Sequence, residues 1–243
     1  MFIREELERD KRRTAEAQSK DPVLRRLAHE FLVESFKYDY PYQWTWLGLP
    51  MLQVPADIVA TQEIIWENKP DVIIETGIAW GGSVVFYASL LQLIGKGEVI
   101  AVDLNLMDHV TNQIMSYPFA QRIRLLKGSS TDPAIAAEIK SHLKPSMSVM
   151  VLLDSNHTHK HVLDELALYG PLVTKGQYLI VSDTHVETVP QMDHKPRPWG
   201  PGNNPKSAVD EYLRSMDRFA VDEEIDKKLL VSLTPGGYLR CLK

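Results

Sequence analysis

The stretch VIIETGIAWGGSVVFYASLLQLIG, residues 72–95, contains the pattern that decides the fold. It begins with a short apolar run rich in β-branched residues, which is typical of a buried strand. A glycine turn follows, and then an apolar segment of helical length that ends at Gly95. The stretch therefore predicts a strand, a tight turn and a helix, which together make half of a βαβ unit.

The same alternation continues along the chain. Further strands are predicted at 98–103, 122–128, 149–154 and 177–183, and further helices at 133–143 and 157–170. This order predicts an α/β fold with a mostly parallel sheet and helices on both faces. Two apolar segments, 229–233 and 238–243, flank a Pro-Gly-Gly turn and predict a C-terminal antiparallel hairpin.

Two regions depart from the alternation. Residues 1–60 combine a charged segment with an aromatic one, and we expect them to cap a domain formed by residues 61–243. Residues 186–206 hold five prolines and no periodicity, which predicts a lid loop over a binding site. The side chains in and beside this loop suit sugars and aromatic acceptors: His185, His194, Arg197 and Trp199.

Composition excludes several classes of function. The chain has 243 residues and a net charge of −5, and no basic stripe predicts a nucleic-acid partner. The single cysteine, Cys241, excludes an internal disulfide and a Cys-rich zinc site. No apolar run is long enough for a membrane span, and the charged N-terminus does not resemble a signal peptide. We therefore expect a cytoplasmic protein.

Acidic side chains stand at or near the ends of four predicted strands: Glu75, Asp103, Asp154 and Asp183. Open α/β sheets bind ligands at this edge, so the four acids predict a binding site there. Asp103 ends the second strand, where an acidic residue binds a ribose diol. The glycine turn is neither GxGxxG nor a Walker loop, and it lacks a cradle for phosphates. This combination indicates a nucleoside without phosphates, and S-adenosylmethionine fits.

The later acids raise the question of a metal ion. Asp154 and Asp183 end strands that we expect to be neighbours, and two carboxylates favour Mg²⁺. Zinc needs three or four nitrogen or sulfur ligands. His157 and His161 could supply two from one helix, but His159 points to another face. His157 lies three residues after Asp154 and is expected close to the ion.

Three segments together resemble one known family: ETGIAWGGS (75–83), GSSTDPAIAAEI (128–139) and LDSNHTHKHVLDEL (153–166). They resemble the cephalosporin hydroxylase/rhamnosyl O-methyltransferase family from about Trp44 to the C-terminus. The resemblance implies a Rossmann-like class I methyltransferase with a seven-stranded sheet. It also implies a likeness to the metal-dependent catechol O-methyltransferases.

The resemblance implies roles for individual residues. It implies that eight of them surround S-adenosylmethionine: Glu75, Gly77, Gly81, Ser83, Asp103, Ser129, Ser130 and Asp132. The first four belong to the glycine turn and its flanks, beside the methionine part of the cofactor. Asp103 is implied at the ribose, and the last three around the adenine.

The resemblance also implies that Asp154 and Asp183 bind Mg²⁺. His157 stands where a catechol-type enzyme keeps its basic lysine. Relatives often show Glu-Asp where this chain has Ser182-Asp183. The third protein ligand is therefore open between Ser182, Thr184 and a water molecule.

These features predict a Mg²⁺-dependent O-methyltransferase that uses S-adenosylmethionine and acts on a hydroxyl of a sugar or natural product. The ion, held by Asp154, would lower the pKa of the acceptor hydroxyl, and His157 would take its proton. One alternative is an iron(II)/2-oxoglutarate hydroxylase, but no HxD pair with a distant histidine is present. The other is a non-catalytic, cofactor-binding accessory subunit. We also expect a homo-oligomer, since the aromatic N-terminal segment could pack on a second subunit.

Overall fold

The computed structural model describes residues 4–192 and 195–243. The strands in these ranges are β1 (Thr45–Trp46), β2 (Leu49–Pro50), β3 (Val72–Thr76), β4 (Glu98–Asp103), β5 (Ile123–Lys127), β6 (Val149–Leu153), β7 (Tyr178–Val181), β8 (Phe219–Val221) and β9 (Tyr238–Cys241). The helices are α1 (Arg4–Ser19), α2 (Pro22–Phe36), α3 (Pro55–Asn68), α4 (Gly82–Ile94), α5 (Asp108–Met115), α6 (Pro133–Ser141), α7 (His159–Tyr169), α8 (Pro205–Ser215) and α9 (Glu223–Lys228).

Within the described residues, seven strands form one sheet in the order β5-β4-β3-β6-β7-β9-β8. The five strands from β5 to β7 are parallel, and β9 runs antiparallel to both β7 and β8. The chain moves outward from β3 in one direction and then returns to its other side at β6. This switch point is where open α/β sheets bind ligands. The mostly parallel α/β sheet predicted from the sequence is confirmed.

Helices cover both faces of this sheet. β3 and β6 are buried along their whole length, which accounts for their unbroken apolar sequences. Residues of α3 and α4 pack with Ile73 and Val99 on one face, and residues of α6, α7 and α8 pack with Ile74 and Val151 on the other. Neighbouring strand residues such as Ile73 and Ile74 point to opposite faces, so each strand contributes to both halves of the core.

The predicted terminal hairpin is wrong in its first strand. Residues 229–233 are irregular, and the strands that pair with β9 are β7 and, on its outer side, β8. The cause is Asp57 on α3, whose carboxylate accepts hydrogen bonds from Ser232 Oγ at 2.6 Å and from Leu233 N at 2.7 Å. Because this buried acid satisfies the backbone N–H of Leu233, the segment is stabilised outside the sheet.

The residues before β3 approach the carboxyl edge of the sheet. Leu32 of α2 and Val54 form a small apolar cluster with Val189 and Leu233. This cluster holds the N-terminal region against the segments that follow β7. The boundary at residue 60 falls inside α3, and the division into a cap and a catalytic domain stays a prediction. None of the helices in the described ranges combines the length and apolar character that a membrane span requires.

Candidate active site

The four acids predicted to share one edge of the sheet do so. Glu75 is the second-last residue of β3, Asp103 ends β4, and Asp154 and Asp183 follow β6 and β7. They are close enough for their charges to act on one another. The carboxylate of Asp183 raises the pKa of Asp154, and those of Asp154 and Asp103 raise the pKa of Glu75, in each case after burial as the larger cause.

The glycine turn is packed directly against Asp154. Gly77 has a φ of +88°, a left-handed conformation that glycine adopts without strain. A Cβ atom at this position would lie 2.0 Å from the carbonyl oxygen of Asp154. The turn therefore approaches the end of β6 as closely as backbone allows, which brings the predicted cofactor site next to the predicted metal site.

Asp103 holds the glycine turn in place. Its Oδ2 accepts hydrogen bonds from the backbone N–H groups of Ile78 at 2.8 Å and Ala79 at 3.1 Å, and its Oδ1 accepts one from Asn105 N at 2.7 Å. The sequence alone does not predict that Asp103 holds the glycine turn. Each carboxylate oxygen has further lone-pair capacity, so binding of a ribose hydroxyl at Asp103 stays a prediction that the geometry permits.

Glu75 presents an unpaired oxygen at the same edge. Its side chain is 1% exposed, and its Oε2 has no hydrogen-bond partner among the described residues. Ser83, the second residue of α4, hydrogen-bonds this carboxyl group. Buried polar atoms in folded proteins are almost always paired, so the orphan oxygen indicates a ligand donor at this point. The contacts of Glu75 and Ser83 with the cofactor stay predictions.

The three residues predicted around the adenine follow β5. Asp132 caps α6, since its Oδ1 accepts a hydrogen bond from Ala134 N at 2.8 Å. Ser130 is buried, and its Oγ lies 3.1 Å from His161 Nε2. Ser129 Oγ lies 3.0 Å from a neighbouring hydroxyl, that of Thr131. These side chains have structural partners of their own, and their contacts with an adenine stay predictions.

A cluster of possible metal ligands lies at the ends of β6 and β7. Asp154, His157 and Asp183 each offer one ligand atom, and these atoms all lie within 4.8 Å of one another. His157 Nε2 is 3.1 Å from Asp183 Oδ2. No lysine or arginine in the described residues forms an ion pair with either carboxylate. Two partly buried acids without a permanent positive charge beside them fit a divalent cation.

The three histidines of this segment point to different places. His157 joins the two aspartates, whereas His159 Nε2 lies 3.1 Å from Glu211 Oε2 on α8. His161 Nε2 lies 3.0 Å from Ser155 Oγ. The structure therefore does not assemble a three-histidine zinc site. The alternation in sequence misleads because α7 begins only at His159, so His157 is not on the helix that carries the other two.

The residues proposed as third metal ligand differ in what they contact. Ser182 hydrogen-bonds the carboxyl group of Asp154 and therefore lies beside the cluster. Thr184 is buried, and its Oγ1 donates a hydrogen bond to the carbonyl of Pro235 at 2.9 Å. The hydroxyl of Thr184 thus holds the segment before β9.

A cavity of about 310 Å³ opens onto the metal cluster and is lined by His157, Asp183 and His185. Aromatic rings form part of its wall. Phe36 stacks on His185 at 5.1 Å between ring centroids, and Trp199 meets the ring of His157 at 4.7 Å in an edge-to-face contact. The cavity is therefore bordered by the end of α2 and by residues 186–192 and 195–199 of the predicted lid.

Charged residues of the lid lie at the same cavity. Lys195 forms an ion pair with Asp39 at 2.5 Å, and the guanidinium of Arg197 lies 5.4 Å from the ring centre of Trp199. All four line the cavity. His194, the other polar side chain predicted for this loop, lies outside the described residues.

Gln53 is a site residue that sequence reasoning missed. It lies in the irregular segment between β2 and α3, and its side chain hydrogen-bonds both Asp154 and Tyr87. A glutamine in a loop with no periodicity gives no sequence pattern that would indicate a functional role. Its role becomes visible only when the fold brings the N-terminal region over the end of β6.

The chain matches the family described as Rhamnosyl O-methyltransferase/CmcI over residues 38–242. This chain belongs to that family. It is therefore an S-adenosylmethionine-dependent O-methyltransferase, as the sequence predicted. A hydroxylase, the first alternative, is not supported by these findings.

Similar proteins include two mycobacterial enzymes. The rhamnosyl O-methyltransferase of Mycobacterium leprae (strain TN) is 33% identical over 201 residues, covering 80% of this chain and 82% of that protein. The rhamnosyl O-methyltransferase of Mycobacterium tuberculosis (strain ATCC 25618 / H37Rv) is 32% identical over 202 residues, covering 80% and 77%.

Solved structures of the same family share the fold. An apo structure of CmcI is similar with a TM-score of 0.61 and 21% identity, covering 83% of this chain and 77% of that one. A CmcI structure with Mg and S-adenosylmethionine gives a TM-score of 0.57 and 20% identity, covering 83% and 78%. At these identities the likeness establishes the architecture, including the antiparallel strands at the end of the sheet.

Proposed function

We propose that this enzyme transfers the methyl group of S-adenosylmethionine to a hydroxyl of a sugar unit and that it uses Mg²⁺ to do so. The observation that carries the proposal is the cavity of about 310 Å³ that is lined by His157 and Asp183, two members of the cluster that also includes Asp154. A hydroxyl acceptor that enters it reaches the edge of the sheet where the cofactor residues also lie. The mycobacterial rhamnosyl O-methyltransferases support a sugar as the acceptor class.

The two ends of the site divide the work. Glu75, Gly77 and Ser83 are proposed to bind the methionine part of the cofactor, and Asp103 the ribose. Asp154 and Asp183 are proposed to hold the divalent cation. Such a cation would lower the pKa of a hydroxyl bound beside it.

Asp154 has two neutral polar neighbours. Gln53 and Ser182 lie beside its carboxyl group, and both favour the ionised form of Asp154. Burial and the charge of Asp183 raise the pKa of Asp154, so the ionised form is costly without a cation. We therefore expect binding of a cation to release a proton from this pair.

Removal of the acceptor proton needs a base at the cavity. The imidazoles of His157 and His185 both line it. His157, the base predicted from the sequence, contacts Asp183 through Nε2 at 3.1 Å. His185 Nδ1 lies 3.1 Å from the carbonyl of Leu233, and burial lowers the pKa of His185, so its neutral form is favoured.

The walls of the cavity suit a sugar. Apolar faces of sugar rings pack on aromatic side chains, which Phe36, Tyr42 and Trp199 supply. Asp39 and Lys195 offer hydrogen-bonding groups at the same wall for the remaining hydroxyls. A site of this kind positions one hydroxyl toward the cofactor, and positioning supplies much of the rate of methyl transfer.

The test is formation of S-adenosylhomocysteine by the purified chain with S-adenosylmethionine, MgCl₂ and a panel of methyl and p-nitrophenyl rhamnosides. We expect product with at least one rhamnoside, loss of product with EDTA, and loss in Asp154→Asn and Asp183→Asn. His159→Ala is the matched control, since His159 faces α8 rather than the site. A chain that binds the cofactor but methylates no hydroxyl acceptor would instead support the accessory-subunit alternative.

A further inference from the structure

The predicted metal site lacks a third ligand from the expected position. Ser182 directly precedes Asp183, is buried, and lies beside Asp154. Thr184 donates its hydroxyl to Pro235. With only two carboxylates, a site binds a hard divalent ion weakly, because ligand number and charge set the affinity.

His157 is arranged as the missing ligand. Its Nε2 belongs to the group of three ligand atoms within 4.8 Å, and it lies 3.1 Å from Asp183 Oδ2. Atoms bound about 2.1 Å from an octahedral ion lie about 3 Å apart on adjacent corners and about 4.2 Å apart on opposite ones. The separations within the Asp154–His157–Asp183 cluster are therefore close to those that a shared ion requires.

The surroundings of His157 favour a fixed imidazole. The side chain is 14% exposed, and the edge-to-face contact with Trp199 restricts the ring plane. His157 precedes α7, so its position is set by the turn after β6 and not by helical spacing. A ring held in one orientation loses little freedom when it binds an ion, which strengthens coordination.

We propose that His157 Nε2 is the third protein ligand of the metal site and that this imidazole gives the site a preference for Mn²⁺ over Mg²⁺. The proposal rests on the proposed function only in assuming that a divalent cation binds at Asp154 and Asp183. An imidazole ligand favours first-row transition ions, whereas an all-oxygen set suits Mg²⁺. His157 Nε2 is then engaged by the ion, and His185 is the other described imidazole that lines the cavity.

The test uses Mn²⁺ binding to the purified enzyme without cofactor, followed by electron paramagnetic resonance. Electron spin-echo modulation detects a ¹⁴N nucleus bound directly to Mn²⁺. We expect a nitrogen signal in the wild type that disappears in His157→Ala, together with a loss of Mn²⁺ affinity of at least about 10-fold. His159→Ala is the matched control and should keep both the signal and the affinity.

Two further variants keep the test independent of folding defects. His157→Asp replaces the nitrogen by a carboxylate oxygen, so it should keep a bound ion, lose the nitrogen signal and prefer Mn²⁺ over Mg²⁺ less than the wild type does. Ser182→Glu in the His157→Ala background supplies a third carboxylate beside Asp183 and should recover affinity without a nitrogen signal. Circular dichroism and thermal unfolding confirm that each variant is folded.

The outcomes separate this proposal from the function proposed above. Mn²⁺ that binds without a nitrogen signal, or with one that survives in His157→Ala, overturns the third-ligand assignment and leaves Mg²⁺-dependent methyl transfer standing. A wild type that binds neither Mn²⁺ nor Mg²⁺ overturns the assignment as well, and unchanged methylation in EDTA would show that the enzyme works without an ion. Failure to methylate any hydroxyl, with a normal nitrogen signal, contradicts only the proposed function.

Discussion

Substituting Gly77 by alanine tests how closely the cofactor turn is packed on the metal site. The backbone of Gly77 has a φ of +88°, and an added Cβ would lie 2.0 Å from the carbonyl oxygen of Asp154. Alanine in a left-handed conformation costs about 1–2 kcal/mol. Displacing a neighbouring backbone from a well-packed place adds about 1–3 kcal/mol. We therefore expect Gly77→Ala to lower the free energy of unfolding by about 2–5 kcal/mol.

Gly176 provides the control, because its φ of +85° is nearly the same and no atom lies within 4 Å of an added Cβ. Gly176→Ala should therefore show the conformational cost alone. Urea unfolding at fixed pH measures both variants, and thermal unfolding should shift by about 2–4 °C for each kcal/mol in a chain of this size. If Gly77→Ala is no less stable than Gly176→Ala, the close contact with Asp154 is wrong.

Three further results are expected. Burial raises the pKa of Asp57 to about 6, above its unfolded value, so the folded state binds the proton more tightly. This contribution to stability is complete below about pH 4 and is lost as the pH rises through about 6. The free energy of unfolding of the wild type should therefore fall by about 2–3 kcal/mol relative to that of Asp57→Asn between pH 4 and 7. Urea titrations that show a pH-independent difference between the two proteins would contradict this. Asp103→Ala should weaken S-adenosylmethionine binding by about 1.5–3 kcal/mol in calorimetry, and unchanged affinity would remove Asp103 from the ribose site. His159→Ala should lower stability by less than about 1 kcal/mol through loss of the contact with Glu211 and leave methyl transfer intact, whereas a large loss of kcat would place His159 in the site after all.

Local sequence patterns predict the central parallel strands and the acidic residues at their ends. The strands from β3 to β7 are short apolar runs between clear turn residues, and the acids at their ends follow from strand position alone. The position of Asp103 at the end of β4 predicts that it binds a ligand. Its hydrogen bonds to the turn at Ile78 could not be predicted from the sequence. That contact joins residues far apart in the chain, and spacing does not encode it.

The errors come from interactions over long separations. Residues 229–233 have the apolar composition of a strand, yet Asp57, more than 170 positions earlier, binds Ser232 and Leu233 and keeps them out of the sheet. Gln53 reaches Asp154 in the same way, from a loop without periodicity. In both cases one polar side chain, buried by tertiary packing, decides the outcome.

The division of labour along the chain has a consequence for how this enzyme acquires new acceptors. The residues proposed to bind the cofactor lie at the ends of β3, β4 and β5, whereas the cavity is lined by side chains from residues 36–52, before β3, and from residues 186–192 and 195–199, after β7. Exchange of these two outer segments between family members would alter the shape of the acceptor cavity while the glycine turn and Asp103 keep their sequence. Chimaeras that exchange both segments together are therefore the natural units for redesign of the proposed acceptor cavity.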